Sequence, residues 1–132
     1  MPDRRLPFEG AVNFRDLGGY PLGTGGETAW HRVYRSDSLA ELTATDLARL
    51  DALGLFGLVD FRLPEERAAK PDRLPEGHAL RCVEPGFLPR GTQEMLRAVA
   101  EGRLTPEAIR AEVERHYRLF PREHLADYAP MF

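Results

Sequence analysis

Arginine stands beside a carboxylate at Arg15-Asp16, at Arg35-Ser36-Asp37 and at Asp60-Phe61-Arg62 in this chain of 132 residues. The pairing matters because a guanidinium grips an oxyanion with parallel N–H bonds, while a neighbouring carboxylate can orient that guanidinium or move a proton. Phosphate-ester chemistry needs both abilities. Two readings fit these residue types. In one, the pairs are local salt bridges that stiffen loops. In the other, the arginines make a positive rim that draws phosphate esters and braces a catalytic loop from behind. Residue types alone leave both open.

A cysteine-based route would add a thiolate at the mouth of a helix, a curl of backbone N–H groups, and an arginine six residues after the cysteine. Cys82, the only cysteine, does not fit: Arg81 precedes it and Leu88 stands six residues on. Between them, Glu84 puts negative charge where a phosphate would sit, and Pro85 lacks an N–H. Cys82 therefore reads as a half-buried structural residue of a strand. His31, His78, His116 and His124 lack metal-ligand spacing, and no second cysteine supports a zinc site. No metal or other cofactor is implied. His116 lies next to the apolar stripe of its predicted helix and reads as a surface or packing residue. Gly18-Gly19 and Gly23-x-Gly25-Gly26 lack the lysine and hydroxyl of a nucleotide phosphate loop. Ser36 and Ser38 flank Asp37 with no histidine placed to activate them, which suits a turn or a cap.

The elements that must position these residues are well punctuated. Val12 to Arg15 reads as a short extended piece, Gly18-Gly19 as a turn, and Leu22 to Thr28 as a loop or hairpin tip. Arg32 to Arg35 is β-prone, with Val33 and Tyr34 on opposite faces. Thr43 caps a helix with Asp46 three residues on, Leu47, Leu50 and Leu53 form its stripe, and Gly54 ends it. Leu55 to Phe61 is apolar nearly throughout, as in a strand covered on both faces, and Asp60 comes only at its end. In open α/β sheets that end is where ligands bind. Pro64-Glu65-Glu66 opens a short helix. A proline-containing loop, Pro71 to Gly77, leads to a strand over His78 to Val83. After breaks at Pro85, Gly86, Pro89 and Gly91 come a helix over Thr92 to Glu101 and a second one capped by Thr105 and stopped by Pro121. A last short stretch runs from Leu125 to Phe132.

Composition narrows the classes. The length suits one domain spanning 1–132. A net charge of −3 with dispersed arginines argues against a nucleic-acid footprint. A single cysteine forms no internal disulfide, no apolar leader follows Arg4-Arg5, and the longest near-apolar run, Leu53 to Val59, is too short to span a bilayer. A soluble cytoplasmic protein is expected.

Asn13-Phe14-Arg15-Asp16-Leu17-Gly18-Gly19-Tyr20 comes first, then Tyr34-Arg35-Ser36-Asp37 with Leu39 behind it. The amphipathic stretch Thr43 to Leu53 follows, and then Leu58-Val59-Asp60-Phe61-Arg62 with Pro64-Glu65-Glu66. This succession resembles the front half of the bacterial tyrosine-phosphatase-like family, whose members dephosphorylate phosphotyrosine and often phosphoserine, phosphothreonine or phosphoinositides. The resemblance implies an α/β fold with a parallel sheet and flanking helices, here an incomplete, N-terminal part that lacks the catalytic strand and its His-Cys-x5-Arg loop. It makes Asp60 the candidate general acid and Arg62 a residue that lines or braces the pocket. Arg15, Asp16, Arg35, Ser36 and Asp37 become supports of the active-site floor. The nucleophile, the phosphate-binding arginine, and the loop's lysine and aspartate would lie beyond Phe132. Thr92 to Phe132 resembles the helical region before the catalytic strand. The chain alone is then expected to be inactive and a poor free-standing fold that aggregates, self-associates or rearranges its sheet. The partners implied are a phosphorylated protein or phosphoinositide for the completed enzyme, and a complementing chain. The alternative is a non-catalytic module that binds phosphate or an anionic partner, or one half of a split enzyme.

Overall fold

Capping and turn residues decide most of the elements in the computed structural model, which describes residues 3–88 and 91–131. In chain order these are β1 (Arg15–Asp16), β2 (Tyr34–Arg35), α1 (Ala44–Ala52), β3 (Gly57–Val59), α2 (Pro64–Ala69), β4 (Arg81–Val83), α3 (Thr92–Ala100), α4 (Pro106–Glu123) and α5 (Leu125–Tyr128), followed by a 3-10 turn over Ala129–Met131. β1 and β2 pair antiparallel, with Arg15 opposite Arg35 and Asp16 opposite Tyr34. β3 and β4 form a second, parallel pair: the Arg81 N–H donates to the Phe56 carbonyl, and the Asp60 N–H to the Val83 carbonyl. A mixed α/β fold with a small parallel sheet and flanking helices matches the incomplete phosphatase-type architecture expected from the sequence.

The chain divides into two compact units, Met1–Gly57 with Glu65–Arg81, and Leu58–Pro64 with Cys82–Phe132. In the first, Phe8, Ala11, Phe14, Leu39, Leu42 and Leu50 are buried. Phe8 and Phe14 stack with centroids 4.1 Å apart. The predicted cap of α1 is present in full: the Asp46 N–H donates to the Thr43 hydroxyl, and the Thr43 N–H donates back to the Asp46 carboxylate. Gly54 follows with φ 58°. The tip of the first loop closes through a bridge between Pro21 and Glu27.

The second unit is held by aromatic rings. Phe87 lies flat on His124, with centroids 3.7 Å apart, and edge-on to Tyr128 and Phe120. His116 is buried and stacks on Phe120, so it is a packing residue. The Thr105 hydroxyl caps α4, and Pro106 lies in its first turn.

Several expectations change, and the strand read over His78 to Val83 shortens to β4. The strand read over Leu55 to Phe61 shrinks to β3, and it is not covered on both faces: Phe56 is 82% exposed and Phe61 53%. Among the described residues β3 has a single ladder partner, so its apolar side chains lack the second layer that their composition suggested. Pro121 does not stop α4, which runs on to Glu123. A proline so near the end removes only one late hydrogen bond, and the His124 N–H still reaches the Phe120 carbonyl. Cys82 is exposed rather than half-buried, because β4 is an edge of its two-stranded sheet. The break read at Pro89 and the final residue of the last stretch, Phe132, lie outside the described residues.

Candidate functional site

Strand alternation separates the residues of Asn13-Phe14-Arg15-Asp16 onto two faces. Phe14 and Asp16 face inward and are almost fully buried. The Asp16 carboxylate accepts the Gly18 N–H at 2.7 Å and the His31 N–H at 2.9 Å, and the His31 ring nitrogen Nδ1 lies 3.1 Å away. One carboxylate thus ties both ends of the loop between β1 and β2. Burial first, and the Asp16 charge after it, push the Tyr34 phenol above its ordinary range. Gly18 and Gly19 lie against Trp30: a Cβ at Gly18 would come within 2.6 Å of the Trp30 Cα. The Arg4 guanidinium closes the turn by donating to the Gly18 carbonyl at 2.8 Å and the Gly19 carbonyl at 2.7 Å, and it covers the Tyr20 ring at 4.2 Å. Sequence reasoning did not single out Arg4. Its acceptors are main-chain oxygens, which no side-chain motif announces.

Arg15 and Arg35 face each other across the ladder. Ser36 donates its hydroxyl to the Asp37 carboxylate at 3.2 Å. Among the described residues no ion pair joins Arg15 to Asp16 or Arg35 to Asp37. The local salt-bridge reading therefore fails at these two places. Asp16 is turned inward on the opposite face from Arg15, and Asp37 takes its hydrogen bond from a serine.

The third pair, in the second unit, does form. Asp60 lies just past the C-terminal end of β3, held by its N–H on the Val83 carbonyl at 2.9 Å. Arg62 Nε reaches both Asp60 oxygens at 3.0 and 3.1 Å, and its Nη2 reaches Oδ2 at 2.6 Å. The Arg62 backbone N–H adds a bond to Oδ1 at 2.9 Å, which curls the chain so that the fork can close within two residues. Both side chains are largely buried. A two-point, charge-assisted contact of this kind fixes the plane of the guanidinium.

The sequence-identified residues thus fall into two groups. The first unit gathers Arg15, Asp16, Arg35, Ser36 and Asp37 around β1 and β2, and the second holds Asp60 and Arg62 beside β3. Cys82 lies on β4, in a strand and not at a helix mouth. Among the described residues no three histidine, cysteine or acidic side chains cluster as metal ligands, and no helix is long and apolar enough to cross a membrane.

Comparison with known proteins agrees with the motif order. The family model described as "Tyrosine phosphatase family" matches residues 6–132. A protein of Cupriavidus necator named "Putative tyrosine-protein phosphatase" is 44% identical over 63 residues, a match that covers 48% of this chain and 23% of that relative. The chain thus spans about a quarter of the length of this curated relative.

Proposed function

Because the chain belongs to the tyrosine phosphatase family, we propose that it supplies the acid-and-arginine part of a cysteine-dependent phosphate monoester hydrolase acting on phosphorylated protein or phosphoinositide. The nucleophile of that enzyme lies outside these 132 residues. The observation that carries the reading is the Asp60–Arg62 fork at the carboxyl end of a parallel strand. That is the place where open α/β sheets receive ligands. Arg62 offers the planar donor set that suits a phosphate; as the substrate phosphate draws Arg62 away, the Asp60 carboxylate takes up a proton from solvent and would pass it to the leaving oxygen. Asp16 supports the first unit by holding the loop after β1 in place. Cys82 is not the nucleophile in this reading, since it lacks both an arginine six residues on and a helix mouth.

The test is phosphate release from phenyl phosphate by the chain alone, and by the chain mixed with a family segment carrying His-Cys-x5-Arg. No turnover is expected alone. Turnover is expected on mixing, with a kcat lowered about 100-fold by Asp60→Asn. Turnover by the chain alone that vanishes in Cys82→Ser would overturn the reading, and so would a mixture whose rate ignores Asp60→Asn.

A further inference from the structure

We propose that Arg5, Arg15 and Arg35 form a phosphate-binding face on the outer side of the N-terminal strands. Arg5 makes an antiparallel bridge with Arg15, and Arg15 pairs in register with Arg35. Residues directly opposite one another in neighbouring strands carry their side chains on the same face. The three arginine side chains therefore leave the same face of neighbouring strands, from three separate stretches of chain. The alternate positions confirm the orientation. Phe14, Asp16 and Tyr34 turn inward, and Arg4 folds onto the Gly18 and Gly19 carbonyls. Arg5 and Arg35 are exposed and Arg15 is half-buried between them.

Like charges placed directly opposite each other destabilise a ladder. Nothing among the described residues relieves this: none of the three side chains makes a hydrogen bond or an ion pair. Asp16, next to Arg15, turns to the opposite face, and Asp3 and Asp37, each two residues from an arginine of the row, take hydrogen bonds from the Arg5 N–H and the Ser36 hydroxyl instead. A row of guanidinium forks with uncompensated charge is complementary to a group with several oxygens and two negative charges, which is a phosphate dianion. This face needs neither a thiol nor Asp60, so it goes beyond the proposed hydrolysis. Arg5 has no part in that reaction.

The experiment is calorimetric titration of the full chain at low salt with inorganic phosphate and, separately, with phenyl phosphate. Saturable binding is expected, weakened about tenfold by Arg5→Gln and again by Arg35→Gln, and weakened by added salt. Both are exposed positions, and circular dichroism checks that the fold is kept. Arg118→Gln on α4 removes the same charge elsewhere and should leave binding unchanged. Equal binding of both probes identifies a terminal phosphate group on a larger molecule, and binding of inorganic phosphate alone identifies the free ion. Absence of saturable binding overturns the proposal. So does binding that Arg5→Gln leaves intact, or that Arg118→Gln weakens equally. Because Arg5 is outside the hydrolytic reading, these outcomes leave that reading standing or falling by its own test.

Discussion

Gly10→Ala will unfold the first unit at markedly lower denaturant than the parent chain. A Cβ at Gly10 would stand 1.9 Å from the Glu41 carbonyl oxygen and 2.4 Å from its carbon. Both are backbone atoms just before the Thr43 cap of α1, so no rotamer change can relieve the clash. The segment around Gly10 must back away from the start of the helix. In doing so it breaks the bonds from the Glu9 and Gly10 N–H groups to Asp46 and opens the stack of Phe8 on Phe14. The expected loss is about 3–5 kcal/mol, at the upper end for a single substitution. Trp30 is the only tryptophan and belongs to this unit, so urea unfolding followed by its fluorescence reads the effect directly. A midpoint unchanged from the parent chain would show that the close approach is not needed.

Asp46→Asn will remove an acid-sensitive clamp at the same place. The Asp46 carboxylate is completely buried and accepts the Glu9 N–H at 2.9 Å on one oxygen. Its other oxygen takes the Gly10 N–H at 2.8 Å and the Thr43 N–H at 3.1 Å. Burial by itself would push this carboxyl up. The backbone hydrogen bonds from Glu9, Gly10 and Thr43, with the Thr43 hydroxyl, outweigh it and hold the group at about 2, against an ordinary 3.8. An asparagine keeps one acceptor oxygen but points an NH2 group at N–H donors, leaving buried donors without an acceptor. The melting temperature at neutral pH should fall by about 5–10 °C. The pH dependence has a definite sign. A carboxyl whose folded value lies below its unfolded one stabilises the fold fully above about pH 4, and that stabilisation disappears as pH falls toward 2. The stability gap between parent and Asp46→Asn should therefore be widest at neutral pH and narrow steadily below pH 4. Thermal melts at several pH values measure it, and a gap that stays constant down to pH 2 would exclude the clamp.

Both substitutions lie outside Arg15, Arg35, Asp60 and Arg62, yet they act on what holds the first of these in place. Leu6 and Asp16 bond back and forth with Phe14 and Arg4 across the strip that carries Arg15. The Glu9–Gly10 segment, which continues from this strip, is fastened to α1 through Asp46. The N-terminal strands are therefore only as well fixed as that helix start.

Local signals account for much of what was legible in the sequence. The Thr43–Asp46 box, Gly54 after α1, the Thr105 cap and the opening of α2 at Pro64 are contacts within one turn of chain, so residue types at fixed spacing suffice to specify them. The family too was legible, because it rests on the order and spacing of short motifs, and the family match over residues 6–132 agrees. Burial and partnership were not legible. Phe56 and Phe61 have strand composition, but whether a second layer covers them depends on chain far away in sequence. Three arginine–carboxylate neighbours looked alike in the sequence. One became a fork because a turn at Asp60 lets the two side chains meet, and the other two did not. Strand alternation sent Asp16 to the interior, and a serine took up Asp37.

By itself the sequence determined the helix starts, the turn glycines and the family to which the chain belongs. Only the tertiary structure decided that Asp16 and Asp46 are buried organisers, that Arg4 clamps the glycine turn, and that Arg5 joins Arg15 and Arg35 in one row. The physical reason is the same in each case. Helix caps and turns are set by neighbours a few residues apart. The environment of a charge is set by which strand lies beside it and which face it shares, and the chain fixes that only when distant segments pair.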